Sequence, residues 1–273
     1  MKLGNIMNHI YYSEKERVDA GKVDSAIRFM NQSQISNSLP LLFDVIQSSR
    51  SEEYVYQYEE DDNLYIKFWD KNEYTHFVTF IGNETKYKKV IWLPSAYPRA
   101  YYWLHLIASQ SNQYEKALIL LNSGYELEQT NSLFMIGYAN VYNKMNNHNQ
   151  SLESYKKIGD VNPFISPKIK AVALRGEGVQ LIELGRLEEA ELALYKSLEL
   201  DPKNEIAINE LVYISEQKKN EQHFIPRILF TNTYNEKNYC MYCRTEFKEG
   251  ILRSIKNDKY YICNDCYEKH NRK

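Results

Sequence analysis

Residues 171–204 read AVALRGEGVQLIELGRLEEAELALYKSLELDPKN, and the order of small, apolar and turn residues in this stretch decides the fold. Leu174, Gly178 and Leu181 recur at helical spacing, Gly185 interrupts them, and Ala190, Leu194 and Leu198 resume the period before Pro202 stops it. Two helices joined by a tight turn follow from this. Gly178 and Ala190 let the two backbones approach, while Leu181, Leu194 and Leu198 fill the gap between them. A single hairpin of this kind cannot bury its apolar face alone, so stacked copies are expected.

The copies lie upstream. Aligned on the small residue that follows a polar turn, Asn112-Gln-Tyr-Glu-Lys-Ala117, Asn147-His-Asn-Gln-Ser151 and Gly185-Arg-Leu-Glu-Glu-Ala190 fall in register. The step from Ala117 to Ser151 is 34 residues, and that from Ser151 to Ala190 is 39, which is 34 plus a five-residue insertion. This resembles the tetratricopeptide repeat, a 34-residue helical hairpin. The unit 171–204 carries the resemblance through Leu174, Gly178, Leu181, Gly185, Ala190, Leu194 and Pro202. The unit 132–165 carries it through Ala139, Tyr142, Ser151, Tyr155 and Pro163. The unit 98–131 keeps Leu104, Ala117, Leu121 and Gly124, has His105 where a small residue is usual, and lacks the closing proline. The segment Glu205–Lys219, with Ile206, Leu211 and Ile214 among polar residues, suits a capping helix, so the repeats span 98–220.

The resemblance implies a concave groove formed by the first helix of each hairpin and used to hold a peptide or a partner helix. By register its wall carries Arg99, Tyr102, Ser109, Asn140, Asn143, Lys144, Arg175 and Asn209. Asn140 and Arg175 have the amide and guanidinium groups that would hold a peptide backbone or carboxylate. The alternative is that these positions form a solvated polar face.

On the N-terminal side, residues 1–95 read as an α+β domain. Val23–Met30 and Leu39–Gln47 are the apolar parts of two helices, with Pro40 near a helix start. Four runs rich in aromatic and β-branched residues follow: Tyr54–Tyr58, Leu64–Trp69, Tyr74–Ile81 and Tyr87–Leu93. Polar turns separate them, which predicts a four-stranded antiparallel meander with one face covered by the preceding helices. Pro94 and Pro98 mark the change to helical period.

On the C-terminal side, 236–273 holds every cysteine of the chain, as Cys240-Met-Tyr-Cys243 and Cys263-Asn-Asp-Cys266. Two such pairs separated by a linker present four thiolates tetrahedrally, the pattern of a structural Zn²⁺ site with no open coordination position. Phe247–Ser254 and Lys259–Ile262 suit a hairpin between the knuckles, and Tyr267–Asn271 a helix after them. That order resembles a treble-clef or zinc-ribbon finger, which implies protein docking, dimerisation or nucleic-acid binding. Basic residues including Lys256 and Lys259 lie near Tyr260 and Tyr261, but Glu249, Asp258 and Glu268 dilute the charge, so nucleic acid is the lesser alternative.

A net charge of −2 argues against a globally basic nucleic-acid binder. The first 17 residues lack the apolar run of a secretory signal, and no stretch approaches the roughly 20 apolar residues of a membrane span. With four clustered thiols, these features point to a reducing, cytoplasmic setting. No HExxH, GxSxG or GxxxxGK[ST] pattern is present, and His76 and His105 read as core or surface residues. The expectation is a mainly α, non-enzymatic adaptor with a protein or peptide partner, structural zinc, and a second docking or homodimer surface at the zinc module.

Overall fold

The computed structural model describes residues 3–49, 54–82, 85–161, 165–220, 250–255 and 258–263. They form two compact units, Met1–Ala173 and Leu174–Lys273.

In the first unit, α1 (Leu3–Asn31) and α2 (Ile35–Ser48) are followed by β1 (Gln57–Glu60), β2 (Asn63–Phe68), α3 (Lys71–Ile81) and β3 (Lys89–Pro94). Then come α4 (Tyr97–Gln110), α5 (Tyr114–Leu127), α6 (Ser132–Lys144), α7 (His148–Lys156), the single turn α8 (Ile158–Val161) and the start of α9 (Pro167–Glu183). The second unit continues α9 and adds α10 (Leu187–Leu200), α11 (Glu205–Asn220) and a hairpin of β4 (Gly250–Ile255) and β5 (Asp258–Cys263).

The predicted hairpins form. α4 with α5, α6 with α7 and α9 with α10 are each joined by a turn containing one residue in the left-handed region: Asn112 (φ 57°), Asn146 (φ 55°) and Gly185 (φ 70°). In each, the next amide reaches back to a carbonyl five residues earlier: Gln113 to Ala108 (2.9 Å), Asn147 to Tyr142 (2.8 Å) and Arg186 to Leu181 (2.8 Å). This closes the helix C-terminus in the Schellman manner.

The same turn joins α1 to α2. Ser33 has φ 60°, and the Gln34 amide donates to Phe29 O at 2.8 Å. Buried Ala26 and Ser38 stand seven residues before and five after Ser33, as Ala139 and Ser151 flank Asn146. The α1–α2 pair is therefore a further hairpin of the same kind. Ala20, Val23 and Ala26 of α1, Leu42 and Val45 of α2, Tyr97 and Leu104 of α4, Leu121 of α5 and Phe134 of α6 share one core.

The β1–β2–α3–β3 segment is inserted between these hairpins, and it corrects the expected meander. β1 and β2 pair antiparallel, but Tyr74–Ile81 is helical and β3 pairs parallel to β2, Leu64 opposite Val90 and Ile66 opposite Trp92. The Asp70 carboxylate caps α3 by accepting from the amides of Asn72 (2.7 Å) and Glu73 (3.0 Å). Tyr74, Phe77, Val78 and Ile81 stand at the i, i+3, i+4, i+7 spacing of one helix face, and Gly82 (φ 53°) ends it. A helix here supplies the crossover that parallel strands require. Leu64, Ile66 and Phe68 alternate onto the α3 side, where Tyr74 and Phe77 meet them, and Lys67 projects to the other side, where Glu16 of α1 receives it. One of the two N-terminal helices thus lines the sheet, while α2 packs on α4.

Pro40 lies inside α2 rather than near its start. In the second unit, Gly178 packs under Leu194, and Lys218 of α11 pairs with Glu191 of α10 at 3.0 Å. β4 and β5 fall on the stretch expected to form a hairpin, with Gly250 opposite Cys263.

Candidate functional site

The first helices of the hairpins carry the wall residues read from the sequence, and the structure divides them into two kinds. Arg99 is engaged internally: one guanidinium nitrogen meets Asp24 of α1 and the other donates to Ser95 O at 3.2 Å. Tyr102 is half-buried in a ring cluster with Trp69 (5.3 Å), His105 (4.7 Å) and Phe134 (6.0 Å), and burial pushes its phenol up to about 12. Ser109 is buried, with its carbonyl 3.5 Å from Lys144 Nζ. In the second unit Arg175 lies 3.4 Å from Ser197 Oγ and 3.6 Å from Asp201 Oδ2.

Open positions lie on α6 and α11. Asn140 and Lys144 are exposed one turn apart on α6, with Asn143 half-buried beside them, and Asn209 is exposed on α11. The Tyr155 hydroxyl donates to Asn140 Oδ1 at 2.9 Å, which orients the amide.

The largest polar constellation was missed by sequence reasoning. It joins the inserted segment to the hairpins. Lys67 and Glu16 pair at 2.6 Å with 5% and 1% side-chain exposure, and Glu16 also accepts from the Ala96 amide at 3.1 Å. Burial pushes Glu16 up and Lys67 down, each toward its neutral form, against their mutual attraction. Lys67 Nζ stands 3.6 Å from the centre of the Tyr54 ring. Glu128, just after α5, accepts from the Tyr54 hydroxyl, Ser95 Oγ (2.9 Å), Trp69 Nε1 (2.6 Å) and Asn131 Nδ2 (3.3 Å). Glu73 accepts the Trp69 amide at 2.7 Å, and burial raises its carboxyl to about 8 despite that bond.

No local pattern marks these residues, because they come together from positions 16, 54, 67, 69, 73, 95 and 128. The available signal was chemical. A lysine in the apolar-alternating run 63–68 needs a buried acid opposite it.

His105 is buried with Nδ1 unpartnered, and burial lowers its imidazole to about 4. Its bulk, at a position where the repeat resemblance expects a small residue, is matched by Gly137, where an added Cβ would lie 3.1 Å from Nε2. His76 is exposed on α3. Among the described residues, no three His, Cys, Asp or Glu side chains are grouped to hold a metal ion. Cys263 ends β5, whereas Cys240, Cys243 and Cys266 lie outside the described residues, as does the expected helix Tyr267–Asn271.

Residues 180–204 match the tetratricopeptide repeat family model. A MamA fragment from Desulfovibrio magneticus RS-1 superposes with a TM-score of 0.50 at 13% identity, over 75% of this chain and 88% of that one. The architecture is a tetratricopeptide-like solenoid. A tetratricopeptide repeat protein from Parabacteroides merdae gives 0.49 at 14% identity, over 75% of this chain and 61% of that one. The first such domain of Spaghetti (RPAP3), solved with the HSP90 peptide SRMEEVD, gives 0.41 at 20% identity, over 45% of this chain and 93% of that one. No curated protein matches the chain. The tetratricopeptide-like solenoid here is mainly helical, carries a small three-stranded sheet in its N-terminal half, and among the described residues has no helix long and apolar enough to cross a membrane.

Proposed function

We propose that this protein is a non-enzymatic adaptor that holds a segment of a partner protein on the first-helix wall of its repeats, with α6 as the recognition helix. The observation that carries the reading is the pair Asn140 and Lys144. Both are exposed, one turn apart, and the Asn140 amide is already oriented by Tyr155. An oriented amide donating to a peptide carbonyl and a nearby ammonium suit a chain with an acidic side chain or terminus. Arg99 and Tyr102 serve instead to bind the inserted segment and α1 to the solenoid, and Arg175 to bind α9 to α10.

The tail is a structural zinc module and a second docking or dimer surface, in a chain that works in the cytoplasm. Support comes from the two CxxC pairs and from the β4–β5 register. Gly250, seven residues after Cys243 in sequence, is opposite Cys263, so the hairpin returns Cys263 to the end at which β4 begins.

The test is affinity capture by the full chain and by Asn140→Ala/Lys144→Ala. Partners that the intact chain retains and the variant loses, at unchanged helix content, are the expected result. A co-purifying set identical for both proteins contradicts the reading.

A further inference from the structure

Seated on the hairpins through the buried seam of Glu16, Lys67 and Glu128, the inserted segment presents a three-stranded sheet with β2 in the middle and β1 and β3 at its edges. The two edges differ. β1 is four residues long, ends in the exposed acids Glu59 and Glu60 and turns at Asp61-Asp62, so shortness and charge blunt it against another strand. β3 lacks this protection. Val90, Ile91, Trp92 and Leu93 follow one another, Lys89 is the only charged residue of the strand, and Pro94, which has no N–H, comes last. Among the described residues, no main-chain group pairs with the side of β3 that faces away from β2.

The edge is nonetheless ordered for pairing. Trp92 donates its indole N–H to Phe68 O at 3.0 Å and stacks on Tyr74 of α3 at 5.6 Å, yet it is 40% exposed. Covering a ring that is already fixed costs little side-chain entropy. Val90, Ile91 and Leu93 are each half-buried, with apolar surface still to cover.

The order of residues and charges fits a second copy of the same strand. In an antiparallel pair centred on Ile91, Val90 lies opposite Trp92 of the second copy and Trp92 opposite its Val90. Each is an aromatic with a β-branched side chain, on the face where Leu64, Ile66 and α3 lie. Ile91 meets its own counterpart, and Lys89 meets Leu93. Charge favours the same orientation. Near the start of β3, Lys86 and Lys88 are taken by Glu59 and Asp62, and Lys89 is exposed beside them. At the other end, where Phe68 is opposite Pro94, the exposed acid is Asp70. Antiparallel pairing turns the lysine end of each copy toward the Asp70 end of the other, whereas parallel pairing in register would set Lys89 against Lys89.

We propose that the β3 edge is a homodimer interface: two copies pair β3 with β3, antiparallel about Ile91, and join their sheets into one. The interface uses no residue of the cysteine-bearing tail or of α6. Each dimer then carries two α6 walls, a consequence that rests on the adaptor reading, while the pairing itself does not.

Sedimentation velocity of the full chain across the micromolar range tests this. A concentration-dependent species of twice the monomer mass is expected, and Ile91→Lys, which sets two ammonium groups opposite each other, is expected to weaken it by more than about tenfold. On mild oxidation Ile91→Cys is expected to give a disulfide between the two copies of position 91, read by peptide mass spectrometry. Lys89→Cys is not, because its two copies stand roughly 14 Å apart along the ladder. A chain that is monomeric throughout, which leaves the edge to a strand of another protein, overturns the proposal, as does a dimer unchanged in a folded I91K protein. Should I91K fail to fold, the two cysteine variants decide: no cross-link at 91, or equal cross-linking at 89 and 91, overturns it. None of these outcomes alters partner capture by Asn140 and Lys144, so the two readings fail separately.

Discussion

At Gly178 the repeat depends on a missing side chain. A Cβ there would lie 2.6 Å from Leu194 Cγ, in a contact between two packed helices that neither can widen cheaply. Gly178→Ala is expected to destabilise the protein by about 1–3 kcal/mol in urea unfolding, whereas Gly21→Ala, exposed within α1 with nothing inside 4 Å, should stabilise it by about 0.5–1 kcal/mol through helix propensity. Equal effects would remove close packing as the reason for Gly178. His105 makes the complementary argument about charge. Its imidazole is neutral when folded and titrates at about 4, while in the unfolded chain it titrates near 6.5. Acid protonates the unfolded form first, so stability is lost as pH falls from about 6.5 to about 4, by up to about 1.4 kcal/mol per unit. His105→Leu, roughly volume-conserving, should shorten that acid limb in pH-dependent melting; an unaltered limb would assign it to other groups.

The elements differ in how readily the sequence discloses them. α9 and α10 were legible because small residues, leucines and Gly185 all indicate the same hairpin, and α4 to α7 because their turns repeat at a fixed step. The α1–α2 hairpin carries the same turn at Ser33, but 79 residues separate it from Asn112, because the inserted segment breaks the period. α3 misled through composition. Its aromatic and β-branched residues favour strands, whereas the Asp70 cap and the 74, 77, 78, 81 spacing point to a helix. The seam was hidden since seven scattered positions form it. Its strength can be measured with Lys67 and Glu16. Lys67→Met or Glu16→Gln alone is expected to cost about 3–5 kcal/mol by leaving one ion buried without its partner, and Lys67→Met with Glu16→Leu to recover most of that loss. Additive losses in the double variant would show that the two do not act as a pair.

For the whole molecule, the proposed function pairs a helical wall with a tail that zinc would hold together. If the four cysteines hold zinc, the purified chain carries about one Zn²⁺, and Cys240→Ser or a strong chelator removes it and abolishes protection in 250–263 while the helices 97–220 keep theirs. Helices that melt together with the tail, or metal content that survives Cys240→Ser, would refute that division of labour. The wall is the central claim, and photo-crosslinking tests it most directly. A crosslinking amino acid is placed at position 140 on α6 or, for comparison, at the exposed position 122 on α5, the second helix of its hairpin. The account predicts a covalent adduct with a partner protein from position 140 and none from 122; adducts from 122 with none from 140 would contradict it.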